Sequence, residues 1–404
     1  MKLLRYGAPG REKPGIADKD GNIRDLSKVI TQIDDSMLAP RNLARLARVK
    51  PETLPIVRGN PRLGVPYAGI SKFVAIGLNY RDHAEESGLP IPPEPVVFMK
   101  ATTCLCGPND DTIMPKNSQK LDWEVELGVV IGTKAQYVSE AKALDYVAGY
   151  TVVNDVSERH FQMGPGGQWD RGKGCDTFGP VGPYLVTADE LSDPHSLDMW
   201  LDVNGEKRQR GNTRTMIFNV PTIVSYVSQF MTLLPGDIIT TGTPPGVGLG
   251  MKPPVWLKVG DTVTLGIQGL GEQRQKIVAA KSPGEKAKII DEILASMRKG
   301  LSGTDAWMVD LGKNWGGAIG EALGNILADA IWGSAERRKI RRANLRNCMF
   351  YKEYQRYGMS EQRWKAFNFE EGNGRKKDDE REVALLQQAK AAAGPKPQYK
   401  VLEP

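Results

Sequence analysis

Two glutamates interrupt the most apolar strand-like run of the chain. Glu124 and Glu126 lie two residues apart within residues 121–131, where most of their neighbours are apolar or β-branched. A run of this kind predicts a buried strand, and alternation along a strand points both carboxylates to the same face. Because two ionised carboxylates on a buried face repel each other and are costly to desolvate, either a shared proton or a bound divalent cation must offset the cost.

A third acid follows a second strand-like run. Residues 148–154 are mostly apolar and lead directly into Asp155. A third carboxylate favours the cation over the shared proton, because Mg²⁺ and Mn²⁺ prefer oxygen ligands.

Composition predicts a globular chain of ordinary apolar content whose basic excess is concentrated at one end. The 404 residues are enough for two or three domains. Residues 285–404 hold 22 Lys and Arg against 17 Asp and Glu, and they therefore account for most of the net charge of +6. The four cysteines form no CxxC pair and are interpreted as reduced thiols of an intracellular protein: Cys104, Cys106, Cys175 and Cys348.

Neither targeting nor membrane insertion is predicted. The first seven residues lack the apolar run of a signal peptide, and no stretch reaches the roughly 18 apolar residues of a membrane span. We therefore expect a cytoplasmic protein.

The pattern of short apolar runs between Gly and Pro turns predicts a β-rich α+β fold. Residues 1–70 are expected to form a small β-rich N-terminal domain, with a hairpin at Gly15–Leu26 and a helix at Pro40–Val49. Residues 71–281 are expected to form the catalytic domain, with its best helix at Val220–Leu234. The predicted strands of this domain are Phe73–Gly77, Val96–Met99, Val125–Ile131, Tyr146–Val153, Ser196–Val203, Asp237–Thr241 and Asp261–Ile267.

Residues 285–404 are expected to form a helical, basic and partly disordered extension. Residues 285–299 have amphipathic spacing, residues 315–332 carry small residues every four positions, and residues 337–342 are densely basic. The basic run leaves open a second class of function, the binding of anionic lipid or nucleic acid by the tail. Solvated charge is the commoner explanation of such runs.

Other candidate functional residues lie in short polar segments. His83 and Glu86 are three residues apart, so on a short helix the carboxylate would orient the imidazole as a base. One helical turn would aim Asp155, Arg159 and Gln162 the same way, and the planar fork of Arg159 suits a ligand carboxylate. Alone, these signals are equally consistent with surface pairs.

Two glycine-containing segments complete the set of candidates. Lys173 lies among glycines that allow a ligand to approach closely, although a solvated loop lysine fits the same pattern. Residues 240–248 follow a strand, and their N–H groups and hydroxyls could hold a carboxylate. Arg208–Thr213 is interpreted as a polar loop, and His160 and His195 as structural or exposed.

The order of these segments resembles the fumarylacetoacetate hydrolase family over roughly residues 70–280. The residues that carry the resemblance are GLNYRDHAEE, WEVELG, VVNDVSERHFQ, RGKGCDTFGP and TGTPPGVG. The resemblance is strongest to the bacterial branch acting on sugar-derived diketo acids, whose members often carry the label ureidoglycolate lyase. It implies a mixed β-roll catalytic domain and a homodimer, and it does not extend to residues 285–404.

The resemblance also implies residue roles, a metal and a reaction. Glu124, Glu126 and Asp155 match metal ligands for Mg²⁺ or Mn²⁺. His83, Glu86 and Lys173 match catalytic positions, and the substrate-contacting positions are matched by Arg159, Gln162 and Thr243. The implied reaction is hydrolysis of a C–C bond in a 2,4-diketo acid, such as 2,4-diketo-3-deoxy-L-rhamnonate or an acylpyruvate, to pyruvate and a second acid. Oxaloacetate decarboxylation and ureidoglycolate lysis are alternatives on the same site.

Overall fold

The computed structural model describes residues 1–191 and 193–280. Within these ranges the chain forms eighteen strands and five α-helices. The strands of the first half are β1 (Lys2–Tyr6), β2 (Lys13–Ala17), β3 (Ile23–Asp25), β4 (Phe73–Gly77), β5 (Val96–Lys100), β6 (Leu105–Cys106), β7 (Thr112–Met114), β8 (Leu121–Asp122) and β9 (Val125–Ile131). Those of the second half are β10 (Val147–Asn154), β11 (Ser157–Glu158), β12 (Gly179–Pro180), β13 (Leu185–Thr187), β14 (Asp198–Val203), β15 (Glu206–Asn212), β16 (Ile238–Thr240), β17 (Thr262–Ile267) and β18 (Gly271–Ala279). The helices are α1 (Pro40–Leu46), α2 (Arg81–Ser87), α3 (Arg159–Gln162), α4 (Asp170–Lys173) and α5 (Val220–Phe230).

A nine-stranded mixed sheet carries the two acidic segments. Its strand order is β3-β2-β1-β13-β10-β9-β16-β4-β5, and only β16 and β4 pair in parallel. Every residue of β9 and β10 is buried, as expected for continuous apolar strands that are covered on both faces. The centre of the sheet is therefore the most protected place in the described part of the chain.

A five-stranded sheet of order β15-β14-β17-β18-β7 shares an apolar core with the large sheet. Burial alternates along β14, so this strand turns one face to the core. Helix α5 buries one stripe in the same core, and Asn219 caps its N-terminus by accepting a hydrogen bond from the N–H of Thr222. The mixed sheets and modest helix content confirm the predicted β-rich α+β class.

Most predicted elements are confirmed, with small errors at their ends. The hairpin forms between β2 and β3, and the seven predicted strands are present within two residues of the expected bounds. Helix α1 ends three residues early. Helix α5 ends at Phe230 because Leu233 leaves the helix to form a backbone bridge with Ala135.

The interpretation of Arg208–Thr213 as a loop is wrong. Residues Glu206–Asn212 form β15, which pairs with β14 at the edge of the five-stranded sheet. Exposed residues of an edge strand need no apolar side chains, which is why its polar sequence was misleading. Gln209 is the buried exception.

The predicted boundary near residue 70 stays a prediction. Strands β1 to β3 hydrogen-bond into the nine-stranded sheet, although they also surround a smaller apolar cluster that includes Leu3, Ile16 and Leu38. Met1–Ser282 form one compact unit. The helices, the small-residue stripe and the basic run predicted for residues 285–404, together with Cys348, lie outside the described residues. Within residues 1–191 and 193–280, no helix has the length and apolar character needed to cross a bilayer.

Candidate active site

The three predicted metal ligands come together where β9 begins and β10 ends. These strands are antiparallel neighbours, and the register sets Glu126 opposite Val153. Glu124 therefore lies beside Asp155, and the N–H of Asp155 donates to the carbonyl oxygen of Glu124 at 2.8 Å. One carboxylate oxygen from each of Glu124, Glu126 and Asp155 lies within 4.8 Å of the other two. All three side chains are buried.

A continuous chain of ion pairs runs through two of these acids. Its members alternate in sign, and each is in direct contact with the next. The contacts are Asp122–Arg159 at 2.8 Å, Arg159–Glu124 at 2.5 Å, Glu124–Lys173 at 2.7 Å, Lys173–Asp155 at 2.7 Å and Asp155–Lys100 at 2.5 Å. Three carboxylates and three cations balance, so this chain of ion pairs is neutral as a whole.

Glu126 stands outside that charge balance. Burial raises the pKa of both glutamates, but at Glu124 the charges of Lys173 and Arg159 outweigh burial and hold the pKa well below its ordinary value. At Glu126, burial acts together with the negative charges of Asp155 and Glu124, and the pKa lies well above its ordinary value. The N–H of Gly242 donates to Glu126 at 2.9 Å. Of the two glutamates, Glu126 therefore holds a proton more readily.

The donor set fits a hard divalent cation. Adjacent oxygens of an octahedral Mg²⁺ site are about 3.0 Å apart and opposite ones about 4.2 Å, since each Mg–O bond is about 2.1 Å. Oxygens that lie within 4.8 Å of one another would therefore need to close by up to about 1.8 Å to share one ion. The ammonium of Lys173 donates to both Glu124 and Asp155. It therefore places a positive charge between two candidate ligands, as a metal cation would.

The predicted His83–Glu86 pair forms on α2. Nδ1 of His83 lies 3.1 Å from Oε2 of Glu86. The N–H of Gly246 donates to both oxygens of Glu86, at 3.0 and 3.2 Å. Burial raises the pKa of Glu86, but the hydrogen bonds from His83 and Gly246 outweigh it and lower the pKa.

Arg159 and Gln162 lie on α3, whose single turn begins only at Arg159. The prediction that one helical turn also includes Asp155 is wrong, because residues Ser157–Glu158 form β11 and pair with β8. Nη1 of Arg159 donates to Gln162 at 3.0 Å, while its other nitrogens donate to Asp122 and Glu124. In this arrangement the guanidinium binds protein carboxylates, and contact with a substrate stays a prediction for both residues.

Thr243 lies in the loop after β16 and connects that loop to the start of β9 by a hydrogen bond. Its Oγ1 donates to the carbonyl oxygen of Val125 at 2.9 Å and accepts from Nε2 of Gln209 at 2.8 Å. The loop needs Gly246, whose φ is +100° and whose substitution would place a Cβ 2.1 Å from the carbonyl oxygen of Arg208. A substrate contact by Thr243 stays a prediction.

Sequence reasoning missed three buried members of this neighbourhood. Asp122, the last residue of β8, accepts from Arg159 and from the N–H groups of Gly248 and Leu249. Gln209 accepts from the N–H of Val125. The third missed residue, Lys100, ends an apolar strand, and only its polarity after four apolar residues could have marked it.

Comparison with known proteins agrees with this arrangement. The family model described as "Fumarylacetoacetate (FAA) hydrolase C-terminal" matches residues 72–278, which include every candidate residue above. The chain belongs to the fumarylacetoacetate hydrolase family. Its relatives are enzymes, and several of their structures share its fold.

Three members of the fumarylacetoacetate hydrolase family illustrate the range of similarity. A protein of Burkholderia multivorans, named provisionally as a hydrolase, is 61% identical over 282 residues, covering 70% of this chain and 100% of the relative. Fumarylacetoacetate hydrolase from Exiguobacterium antarcticum is 37% identical, with a TM-score of 0.62 over 69% of this chain and 100% of that one. Maleylpyruvate hydrolase from Sphingobium sp. SYK-6, solved with manganese(II) and pyruvate, is 29% identical, with a TM-score of 0.59 over 70% of this chain and 100% of that one.

Proposed function

We propose that this chain is a metal-dependent hydrolase that cleaves a C–C bond of a 2,4-diketo acid, releasing pyruvate and a second acid. The observation that carries the proposal is the convergence of Glu124, Glu126 and Asp155 beside the ammonium of Lys173. The maleylpyruvate hydrolase solved with manganese(II) and pyruvate supports both the class of metal and the class of product. We take Mg²⁺ or Mn²⁺ as the metal and an acylpyruvate or 2,4-diketo-3-deoxy-L-rhamnonate as the substrate.

The three carboxylates would hold the cation, and His83 with Glu86 would remove the proton of the attacking water. A cation bound there would act as a Lewis acid toward the 2-oxo acid. In the tautomer that carries its proton on Nδ1, His83 donates a hydrogen bond to Glu86, and Nε2 is the basic nitrogen. His83 takes a proton from water as its oxygen adds to the 4-carbonyl. Such general-base assistance is worth about 10²–10⁴-fold in rate.

Lys173 acts on the charge that follows. The bond between C3 and C4 breaks, its electron pair passes to C3, and the resulting pyruvate enolate carries negative charge on the oxygen at C2. The ammonium of Lys173 lies among the candidate ligands, where it stabilises that charge. Protonation at C3 gives pyruvate, and the other fragment leaves as acetate from acetylpyruvate or as lactate from the rhamnonate-derived acid.

Product analysis separates this reaction from its alternatives. The protein is incubated with acetylpyruvate, oxaloacetate or ureidoglycolate, with Mg²⁺ or with EDTA. We expect equal amounts of pyruvate and acetate from acetylpyruvate, with the activity lost in EDTA. Pyruvate from oxaloacetate alone would replace the proposal with a decarboxylase, and release of urea alone would replace it with a lyase.

The histidine assignment has a matched control within the chain. His83→Ala should reduce kcat for acetylpyruvate by about 10²–10⁴-fold. His160→Ala alters an exposed imidazole on the neighbouring helix α3 and should leave kcat unchanged. Hydrolysis by the His83 variant at the wild-type rate would disprove the base assignment.

A further inference from the structure

Lys100 is a buried cation that the proposed reaction does not use. It ends β5, the edge strand of the nine-stranded sheet, yet its side chain is fully buried. Its Nζ donates to Oδ1 of Asp155 and to the main-chain carbonyl oxygen of Lys173, each at 2.5 Å. Lysine is almost never fully buried without partners, and both partners here belong to the candidate active site.

The first contact decides which oxygen of Asp155 faces the other acids. Oδ1 is held by Lys100, while Oδ2 accepts from Nζ of Lys173, which also donates to Glu124. Rotation of the Asp155 carboxylate would break the contact with Lys100. Oδ2 is thereby the oxygen that meets Glu124, through their shared donor Lys173.

The second contact holds the backbone that carries Lys173. This residue ends the single-turn helix α4, which by itself is too short to be rigid. Its carbonyl oxygen accepts from Lys100, so one ammonium orients both a candidate metal ligand and the residue that faces the developing charge.

Lys100 also allows Lys173 to change partners. If Nζ of Lys173 turns to a substrate oxygen, Asp155 keeps a cationic partner through Lys100 and is not left as an unpaired buried charge. Removing one partner of a buried ion pair is costly, because the remaining charge stays desolvated.

We propose that Lys100 is a positioning residue: it holds the carboxylate of Asp155 and the backbone of Lys173 in the positions that metal binding and turnover require. This inference rests on the proposed function. Lys100 has no contact with the reacting atoms in this assignment, so it acts through the two residues that it orients.

The test compares Lys100→Met with Lys72→Met. Lys72 forms an ion pair of 2.6 Å with the buried carboxylate of Asp237, outside the site, and therefore controls for the loss of a buried pair. Calorimetric titration with Mg²⁺ gives the Kd, and acetylpyruvate kinetics give kcat and KM. We expect Lys100→Met to weaken Mg²⁺ binding and lower kcat by at least ten-fold each, with a smaller change in KM. Lys72→Met should change neither Kd nor kcat.

Rescue distinguishes a positioning role from general destabilisation. Methylammonium should restore part of the Mg²⁺ affinity and kcat to Lys100→Ala, whose shortened side chain leaves space, but not to Lys100→Met. Mg²⁺ binding by Lys100→Met that equals or exceeds the wild-type affinity, with kcat within three-fold, would overturn the inference. Because removing a cation would by itself strengthen attraction for Mg²⁺, a simple charge effect gives the opposite sign.

Two measurements on the wild-type protein complete the test. If the Lys100 variants do not fold, a crystal structure with Mg²⁺ and pyruvate decides: both contacts of Lys100 should persist, and loss of both overturns the inference. Wild-type protein that binds no Mg²⁺ would refute the proposed function itself. If the wild type binds Mg²⁺ and the Lys100→Met variant binds it equally tightly, only the role of Lys100 is refuted.

Discussion

Glu124 and Glu126 should respond very differently to the same substitution to Gln when metal is absent. Replacing Glu126 with Gln should change little, because burial and the negative charges of Asp155 and Glu124 raise the pKa of Glu126 and so disfavour its ionised form. Replacing Glu124 with Gln removes the charge that pairs with Arg159 at 2.5 Å and with Lys173 at 2.7 Å. The two residues lie two positions apart at the start of β9, so the difference comes from their partners.

The expected magnitudes follow from those contacts. Breaking a buried ion pair costs about 3–5 kcal/mol. Arg159 keeps Asp122 and Lys173 keeps Asp155 in the Glu124 variant, so we expect the lower end, about 3 kcal/mol. The Glu126 variant should stay within about 1 kcal/mol of the wild type. At about 2–4 °C for each kcal/mol, Tm should fall by roughly 6–12 °C for Glu124→Gln and by less than about 4 °C for Glu126→Gln.

Thermal unfolding of the full chain at pH 7, in EDTA and then in Mg²⁺, provides the assay. A cation at 100 times its Kd stabilises the wild type by about 2.7 kcal/mol, and both variants should lose that gain together with their hydrolytic activity. Equal destabilisation of the two variants in EDTA would refute the assignment of Glu126 as the acid outside the ion-pair chain. A wild-type Tm that is insensitive to Mg²⁺ would refute the metal site.

Three further predictions test other parts of the site. Mg²⁺ binding should weaken as the pH falls, because the pKa of Glu126 is raised and a proton on this carboxyl competes with the cation. Calorimetry in buffers of different ionisation enthalpy should detect the release of that proton. Mg²⁺ binding without proton release at every pH would contradict this prediction. Gln209→Leu leaves the buried N–H of Val125 without its acceptor and should cost about 1–3 kcal/mol, with a fall in kcat that Gln209→Glu partly restores; an unchanged Tm and kcat would refute that bridge. A chain ending at residue 282 should fold and keep its kcat and Mg²⁺ dependence, since this unit spans the full length of a relative that is 61% identical; loss of activity would show that the tail is required.

Residue periodicity and turn chemistry were sufficient for nine of the eighteen strands and for helices α1 and α5. Continuous apolar runs predicted β9 and β10, and the spacing of His83 and Glu86 predicted their contact on α2. These features depend on neighbours two to four residues apart, which alternation and helical geometry determine directly. The polar strand β15 was not predicted, because it is a strand only through its pairing with β14.

Homodimer formation, cytoplasmic location and any role of the basic tail remain predictions of the sequence. The absence of a membrane-crossing helix from residues 1–191 and 193–280 agrees with the expectation for that part of the chain. The three cysteines within these residues are free thiols, as expected from their spacing: Cys104, Cys106 and Cys175.

The amino-acid order by itself determined that three acids would gather at one edge of two buried strands, because alternation and strand termini are local properties. Only the tertiary structure decided their charges. Lys100, Arg159 and Lys173 reach Asp155 and Glu124 from distant segments, whereas Glu126 accepts from a backbone N–H and forms no direct ion pair within the described residues. The ionisation of a buried carboxylate depends on which charges lie within a few ångströms, and spacing along the chain does not contain those distances.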